Sequence, residues 1–291
     1  MESNDILRVS SAQYKDGCLS PLLELSDCPQ DMYVRGKLPA RDEYRYITIV
    51  GSRTHSAYAR EALEYIIAEL RGQSLCIISG LAFGIDALAH TLALKYGLAT
   101  IAIPGSGLSS SVLYPASNQN LASSIIKSGG ALLSEFTSDT KAARWTFPKR
   151  NRLMARLADV VLVVEASEQS GTLITARNAA EYGVDVGVIP ASIMSETARG
   201  SNILLKQGAH PITSADDLLE LLGITKIEQV RELRDDVGED EKLILQALIE
   251  PLSRDELARK LIIEAHDLAR LLPLLEIKGY IKEELGRISR V

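Results

Sequence analysis

The densest chemistry in the chain lies between Lys141 and Arg156. There KAARWTFPKRNRLMAR carries six basic side chains (Lys141, Arg144, Lys149, Arg150, Arg152 and Arg156) and no acidic one. Such a run is either the solvated face of a helix or a surface for a polyanion. Trp145 and Phe147 sit inside it, and rings interleaved with cations hold single-stranded nucleic acid by base stacking and phosphate contact together. Either ring can instead belong to the core, Phe147 beside Pro148 especially.

A second set of candidates is backbone. Gly51-Ser52-Arg53 follows YITIV; Gly80 and then Gly84-Ile85-Asp86 follow LCIIS; Pro104-Gly105-Ser106-Gly107 follows ATIAI; Ser170-Gly171-Thr172 comes after VVLVVEA. Taken singly, each is an ordinary strand-to-helix turn, where glycine is favoured anyway. Four on one edge of a sheet point to an anion held by amides and helix N-termini. No GxGxxG and no GxxxxGK[ST] occurs, which counts against hydride transfer and P-loop hydrolysis.

Conventional catalysts are scarce. His55, His90, His210 and His266 fall in unrelated places without metal-ligand spacing, and His90 lies in an alanine-rich stretch that suits a packed core. No serine has a GxSxG setting. Asp86 and Glu165 are candidate acids, but the first can cap its helix and the second can simply end a strand. No metal or cofactor is indicated.

The elements that must position these groups are legible as a repeat. Six β-branched runs, YITIV, LCIIS, ATIAI, ALLSE, DVVLVVEA and DVGVI, alternate with stretches of helical spacing such as SAYAREALEYIIAEL and LITARNAAEYG. That alternation predicts an α/β fold with a doubly wound parallel sheet. The last helix of the sheet domain is expected at SADDLLELL, capped by Ser214 and closing near Gly223.

The composition, 46% hydrophobic and 24% charged, is that of an ordinary globular protein. A net charge of −6 argues against coating nucleic acid over the whole surface, but a local basic groove needs only well-placed cations. Cys18, Cys28 and Cys76 form no CxxC pair and read as reduced thiols, Cys76 within a strand. No apolar run reaches the ~18 residues of a membrane span, and the N-terminus lacks the order of a secretion signal, so a cytoplasmic location is expected.

Residues 1–42 read as a lead-in packing on the main domain, 43–223 as the sheet domain, 224–240 as an acidic linker and 241–291 as a small second domain. EQVRELRDDVGEDE, at 228–241, holds seven acidic residues against two basic ones. Three amphipathic helices and a β-ribbon beyond it suggest a winged helix. Residues 224–291 carry 12 Lys and Arg against 15 Asp and Glu. That balance favours protein contact or a structural role over duplex reading, because phosphate attraction needs a basic face.

The stretches IVGSRTHSAYA, SGLAFGIDALAH, SEF, FPKRNRLMARLADVVLVVEASEQSGTLITA and RGSNILLKQGA, in that order, resemble the DNA-processing protein A family, also called Smf. The resemblance runs from about Asp16 to Gly223. It implies an extended Rossmann-like sheet with a small C-terminal winged-helix domain, in a homodimer that binds single-stranded DNA. It further implies a recombination mediator, not an enzyme, that helps load the RecA recombinase, chiefly in natural transformation. Arg53 and Lys149 are then the expected phosphate contacts. Gly51, Ser52, Gly80, Gly84, Arg150, Asn151, Arg152, Ser170, Gly171 and Thr172 complete or support the groove.

Phe83 stands where the family usually has arginine, Gln169 where a basic residue is usual, and Ala191 where glycine is usual; the small helical domain that many members carry in front is not expected here. The departures leave room for a relative that senses a nucleotide or a DNA end in phage defence or stress. The family's sheet is also similar to that of cytokinin-activating nucleotide phosphoribohydrolases. Their loop PGGxGTxxE carries a catalytic glutamate, where this chain has Ile174 and Thr175 after EQSGTL.

Overall fold

The computed structural model describes residues 5–15, 17–224, 238–248, 252–261, 263, 265–278, 280–284 and 286–290. The chain divides into two compact units, Met1–Ile227 and Glu228–Val291.

In the first unit the six β-branched runs form strands β3 (Arg45–Val50), β4 (Leu75–Ser79), β5 (Ala99–Ala102), β6 (Ala131–Ser134), β7 (Val160–Val163) and β8 (Asp185–Val188). Three further strands join them: β1 (Leu7–Ser10), β2 (Asp31–Gly36) and β9 (His210–Pro211). The sheet order is β1-β2-β6-β5-β4-β3-β7-β8-β9. It is parallel from β6 through to β9, while β2 runs antiparallel to both β6 and β1. The lead-in therefore extends the sheet, and the sheet is mostly rather than wholly parallel. Met32 and Val34 of β2 point into the core with the alternation of a strand covered on one face.

Helices α1 (Ala57–Glu69), α2 (Ile85–Lys95), α3 (Gln119–Lys127), α4 (Thr146–Leu157), α5 (Thr172–Glu181), α6 (Arg199–Lys206) and α7 (Ala215–Leu221) make the connections. Successive residues of β3 feed opposite layers. Ile47 and Ile49 pack with Leu63 and Ile66 of α1, Ala89 of α2 and Leu218 of α7. Tyr46 and Val50 pack with Leu153 and Met154 of α4, Ala176 of α5, and Tyr14 and Leu22 of the lead-in. Helix α7 starts at Ser214, whose hydroxyl accepts from the Asp217 amide at 3.2 Å while the Asp217 carboxylate accepts from the Ser214 amide at 2.9 Å. This reciprocal pair satisfies amides that the first turn leaves open.

The connections from β3 run outward through β4 and β5 to β6. The chain then crosses back through α4 to β7, on the other side of β3. Strands β3 and β7 are thus neighbours whose connections leave in opposite directions, and a crevice opens outside the carboxyl ends of such a pair.

In the second unit α8 (Glu239–Ala247), α9 (Arg254–Leu261) and α10 (Ala265–Ile277) precede a hairpin of β10 (Ile281–Glu284) and β11 (Arg287–Arg290). Leu252 bridges Ile288, and Leu245, Leu257, Leu272 and Ile288 form a separate core. Three helices followed by a ribbon is the order expected of a winged helix. Most of the acidic stretch at 228–241 lies outside the described residues. Among the described residues no helix is long and apolar enough to cross a membrane, and Cys76 lies buried within β4 as a free thiol.

Candidate functional site

The loop after β3 is pinned at its base and free at its tip. The Ser52 amide donates to the Glu165 carbonyl at 2.8 Å, and the Ile85 amide donates to the Ser52 carbonyl at 3.1 Å. This contact between the loops after β3 and β4 depends on two glycines. A Cβ on Gly51 would lie 2.6 Å from the Ile85 side chain, and Gly84 has φ +76° with the Arg53 carbonyl carbon 2.6 Å from where its Cβ would be. Beyond that fixed base Arg53 is exposed, and its guanidinium stands 5.3 Å from the centroid of the Phe147 ring, in cation–π range.

Under the loops lie two buried side chains of opposite charge, Arg150 and Asp86. Arg150 is 4% exposed; its guanidinium donates to the Gly80 carbonyl at 2.7 Å, to the Ile103 carbonyl, and through Nε to Asn151 Oδ1 at 3.0 Å. The Asp86 carboxylate accepts from the Gly80 amide at 3.1 Å and the Ala82 amide at 3.4 Å. Both side chains press on Gly80, where any larger residue would collide with them. Burial raises the Asp86 carboxyl and lowers the Arg150 guanidinium to about 10, and the attraction between the two offsets this only in part.

The third wall is the start of α5. The Asn151 amide group donates to the Gly171 carbonyl at 3.4 Å, and the Thr172 amide to the Ser170 hydroxyl at 3.2 Å. A Cβ on Gly171 would meet nothing within 4 Å, so this wall faces open space. The buried Thr175 hydroxyl beneath it has no hydrogen-bond partner. These walls enclose a cleft of about 300 Å³ outside the carboxyl ends of the neighbouring strands β3 and β7.

The structure brings Gly51, Arg53, Arg150, Asn151 and Ser170 through Thr172 to the lining of that cleft. Ser52, Gly80 and Gly84 shape it from behind by the contacts above. Lys149 and Arg152 point elsewhere, because residues three apart in a helix share a face. The Arg152 guanidinium lies 2.6 Å from Glu135 and 3.0 Å from Asp27, with 9% of its side chain exposed. Arg156 is held by Glu24, the Pro21 carbonyl and the Tyr182 carbonyl. Lys149, 3.5 Å from Glu135, keeps 47% of its side chain exposed. The basic run is therefore no single phosphate-facing surface, and Arg152 is a strut between α4 and the lead-in.

The candidate acids are occupied. Glu165 is 2% exposed and accepts from both the Ser56 hydroxyl at 2.6 Å and the Ser56 amide at 3.1 Å. His90 is fully buried with Nδ1 2.7 Å from the Thr100 hydroxyl, and burial lowers its pKa to about 3. Among the described residues no group of three His, Cys, Asp or Glu side chains is placed to hold a metal. Sequence reasoning missed Tyr114, which touches both Phe83 and Phe147. It lies in a loop without periodicity, and no local signal marks it.

Residues 6–223 match the family described as DNA recombination-mediator protein A. The chain is 39% identical over 201 residues to Protein Smf of Escherichia coli K12, covering 69% of this chain and 53% of that one, so it spans about half the length of that relative. It is 36% identical to the DNA processing protein DprA of Bacillus subtilis over 214 residues, covering 74% and 70%. The crystal structure of DprA from Streptococcus pneumoniae superposes with a TM-score of 0.67 at 35% identity, covering 75% of each chain. A structure of the Helicobacter pylori protein, reported for its single-stranded DNA binding mode, gives 0.64 at 27% identity over 76% of this chain and 98% of that one.

Proposed function

Because the chain belongs to the DNA recombination-mediator protein A family, we propose that it binds single-stranded DNA at the cleft between β3 and β7 and delivers it to a RecA-type recombinase. The observation that carries this reading is the pairing of an exposed cation, Arg53, with amide-rich loops and an open wall at Gly171 on one sheet edge. Phosphates bind such edges irrespective of sequence, since backbone amides and arginine read charge rather than bases. The Helicobacter pylori relative, whose structure describes a single-stranded DNA binding mode, supports the same ligand here.

On this reading the protein works as a homodimer in the cytoplasm during DNA uptake and recombination, and it binds without turning over its ligand. The two acids that could serve hydrolysis, Asp86 and Glu165, are engaged by backbone amides and the Ser56 hydroxyl. Ile174 lines the cleft where a phosphoribohydrolase would need a carboxylate. Lys149, on the neighbouring face of α4, supplies a second phosphate contact by exchanging Glu135 for the ligand.

The test is fluorescence anisotropy of a labelled oligonucleotide, single-stranded against duplex, across a salt series. Tight single-strand binding that weakens steeply with salt is expected. Absence of binding at low salt, or release of free base from nucleoside monophosphates, overturns the reading.

A further inference from the structure

Phosphate binding leaves the aromatic side chains around the cleft without a role. Trp145, at the start of α4, is 60% exposed, and Phe136 meets it edge-on with centroids 5.6 Å apart and planes at 87°. Phe136 is itself buried and carries the Lys149 ammonium 5.8 Å from its centroid. On the other side Phe147 carries Arg53 and touches Tyr114 at 5.9 Å, and Tyr114 meets Phe83 at 6.5 Å. Phe83 and Tyr114 are 44% and 40% exposed. Helical spacing sets Trp145 with Lys149 and turns Phe147 the opposite way, because residues four apart share a face and residues two apart do not. Each side of the helix start therefore presents rings beside a cation. The exposed indole forgoes most of the stabilisation that burial of a large apolar side chain brings.

We propose that these two groups are base-stacking platforms on either side of the α4 N-terminus, with Trp145 a direct contact to a nucleobase of the bound strand. The inference rests on the cleft being a single-stranded DNA site and deepens it. Phosphates face Arg53 and Lys149 while bases lie on Trp145 and on the Phe83–Tyr114 edge. A duplex has its bases already stacked and cannot offer them, so the platforms themselves select single strands.

Trp145 is the chain's one tryptophan, so its emission reports on this platform alone. The full chain is titrated with a short oligo(dT) and with an abasic strand of the same length, following anisotropy and tryptophan emission together. Oligo(dT) should quench Trp145 as it binds, and the abasic strand should not. Trp145→Ala should weaken oligo(dT) binding by about tenfold and leave the abasic strand unaffected, while Trp145→Phe restores most of the affinity. Phe83→Ala should cost less. Arg53-dependent binding with unchanged emission and full affinity in Trp145→Ala overturns the stacking proposal and leaves the cleft standing. If no strand raises the anisotropy at low salt, both fall.

Discussion

Arg53, on the loop between β3 and α1, and Arg150, on the second turn of α4, line one cleft as opposite kinds of arginine. Arg53 is exposed and leans on the Phe147 ring, with its loop fixed by backbone contacts that leave the guanidinium free. Arg150 is buried, commits Nε to Asn151 and Nη1 to the Gly80 and Ile103 carbonyls, and has Asp86 as its nearby opposite charge. A cation tied by Nε and Nη1 to the interior holds the loops first, whereas one whose guanidinium stands exposed is free to meet a phosphate. The contrast separates binding from scaffolding among residues that look alike in the sequence, and substitutions at the two sites should fail in different assays.

The largest effect belongs to the scaffold. Arg150→Ala leaves three buried acceptors unmet and removes the positive charge near the buried Asp86, and each buried polar group left unsatisfied costs about 1–3 kcal/mol. The urea midpoint should fall accordingly, and any loss of DNA affinity should track the unfolded fraction. A variant of normal stability that fails to bind would move Arg150 to the ligand side of the comparison.

Arg53→Glu should do the reverse. It removes a charge-assisted contact worth about 1.5–3 kcal/mol and adds a repulsive one, so single-strand affinity should drop about a hundredfold or more by anisotropy. Stability should stay within about 0.5 kcal/mol, as for an exposed surface change. Lys149→Ala comes next, at about tenfold. Its salt dependence should be shallower by about 0.7 in the log–log slope, as expected when one fewer phosphate of a single strand is neutralised. Glu135 keeps Arg152 at 2.6 Å when Lys149 is gone, so the fold is spared.

This division was only half legible in the sequence. Runs such as YITIV and DVVLVVEA declare themselves as buried strands, and the glycine loops that follow them mark the ligand edge without further information. DMYVRG has the alternation of a strand, but it is short and follows the turn-prone DCPQD, and its pairing with β6 is tertiary. HP of β9 is too short to carry any period. Within KAARWTFPKRNRLMAR the charges are plain, yet which of them point outward depends on Glu24, Asp27 and Glu135, brought up from distant segments. Composition locates a basic helix; helical phase and the position of its acids decide which cations remain for a ligand.

The smallest effect is also the most discriminating. Gly171 has φ −59° and ψ −18°, a conformation any residue adopts, and a Cβ there meets nothing within 4 Å. Gly171→Ala should therefore stabilise the fold by about 0.4–1 kcal/mol, because alanine has less freedom to lose on folding. Gly171 lines the cleft beside the first amides of α5, so if the strand passes over this wall the added methyl should lower single-strand affinity as stability rises. Opposite movements in urea unfolding and anisotropy would place the strand against α5 as well as Arg53. A more stable protein with unchanged affinity would confine the grip to the loop after β3 and the start of α4.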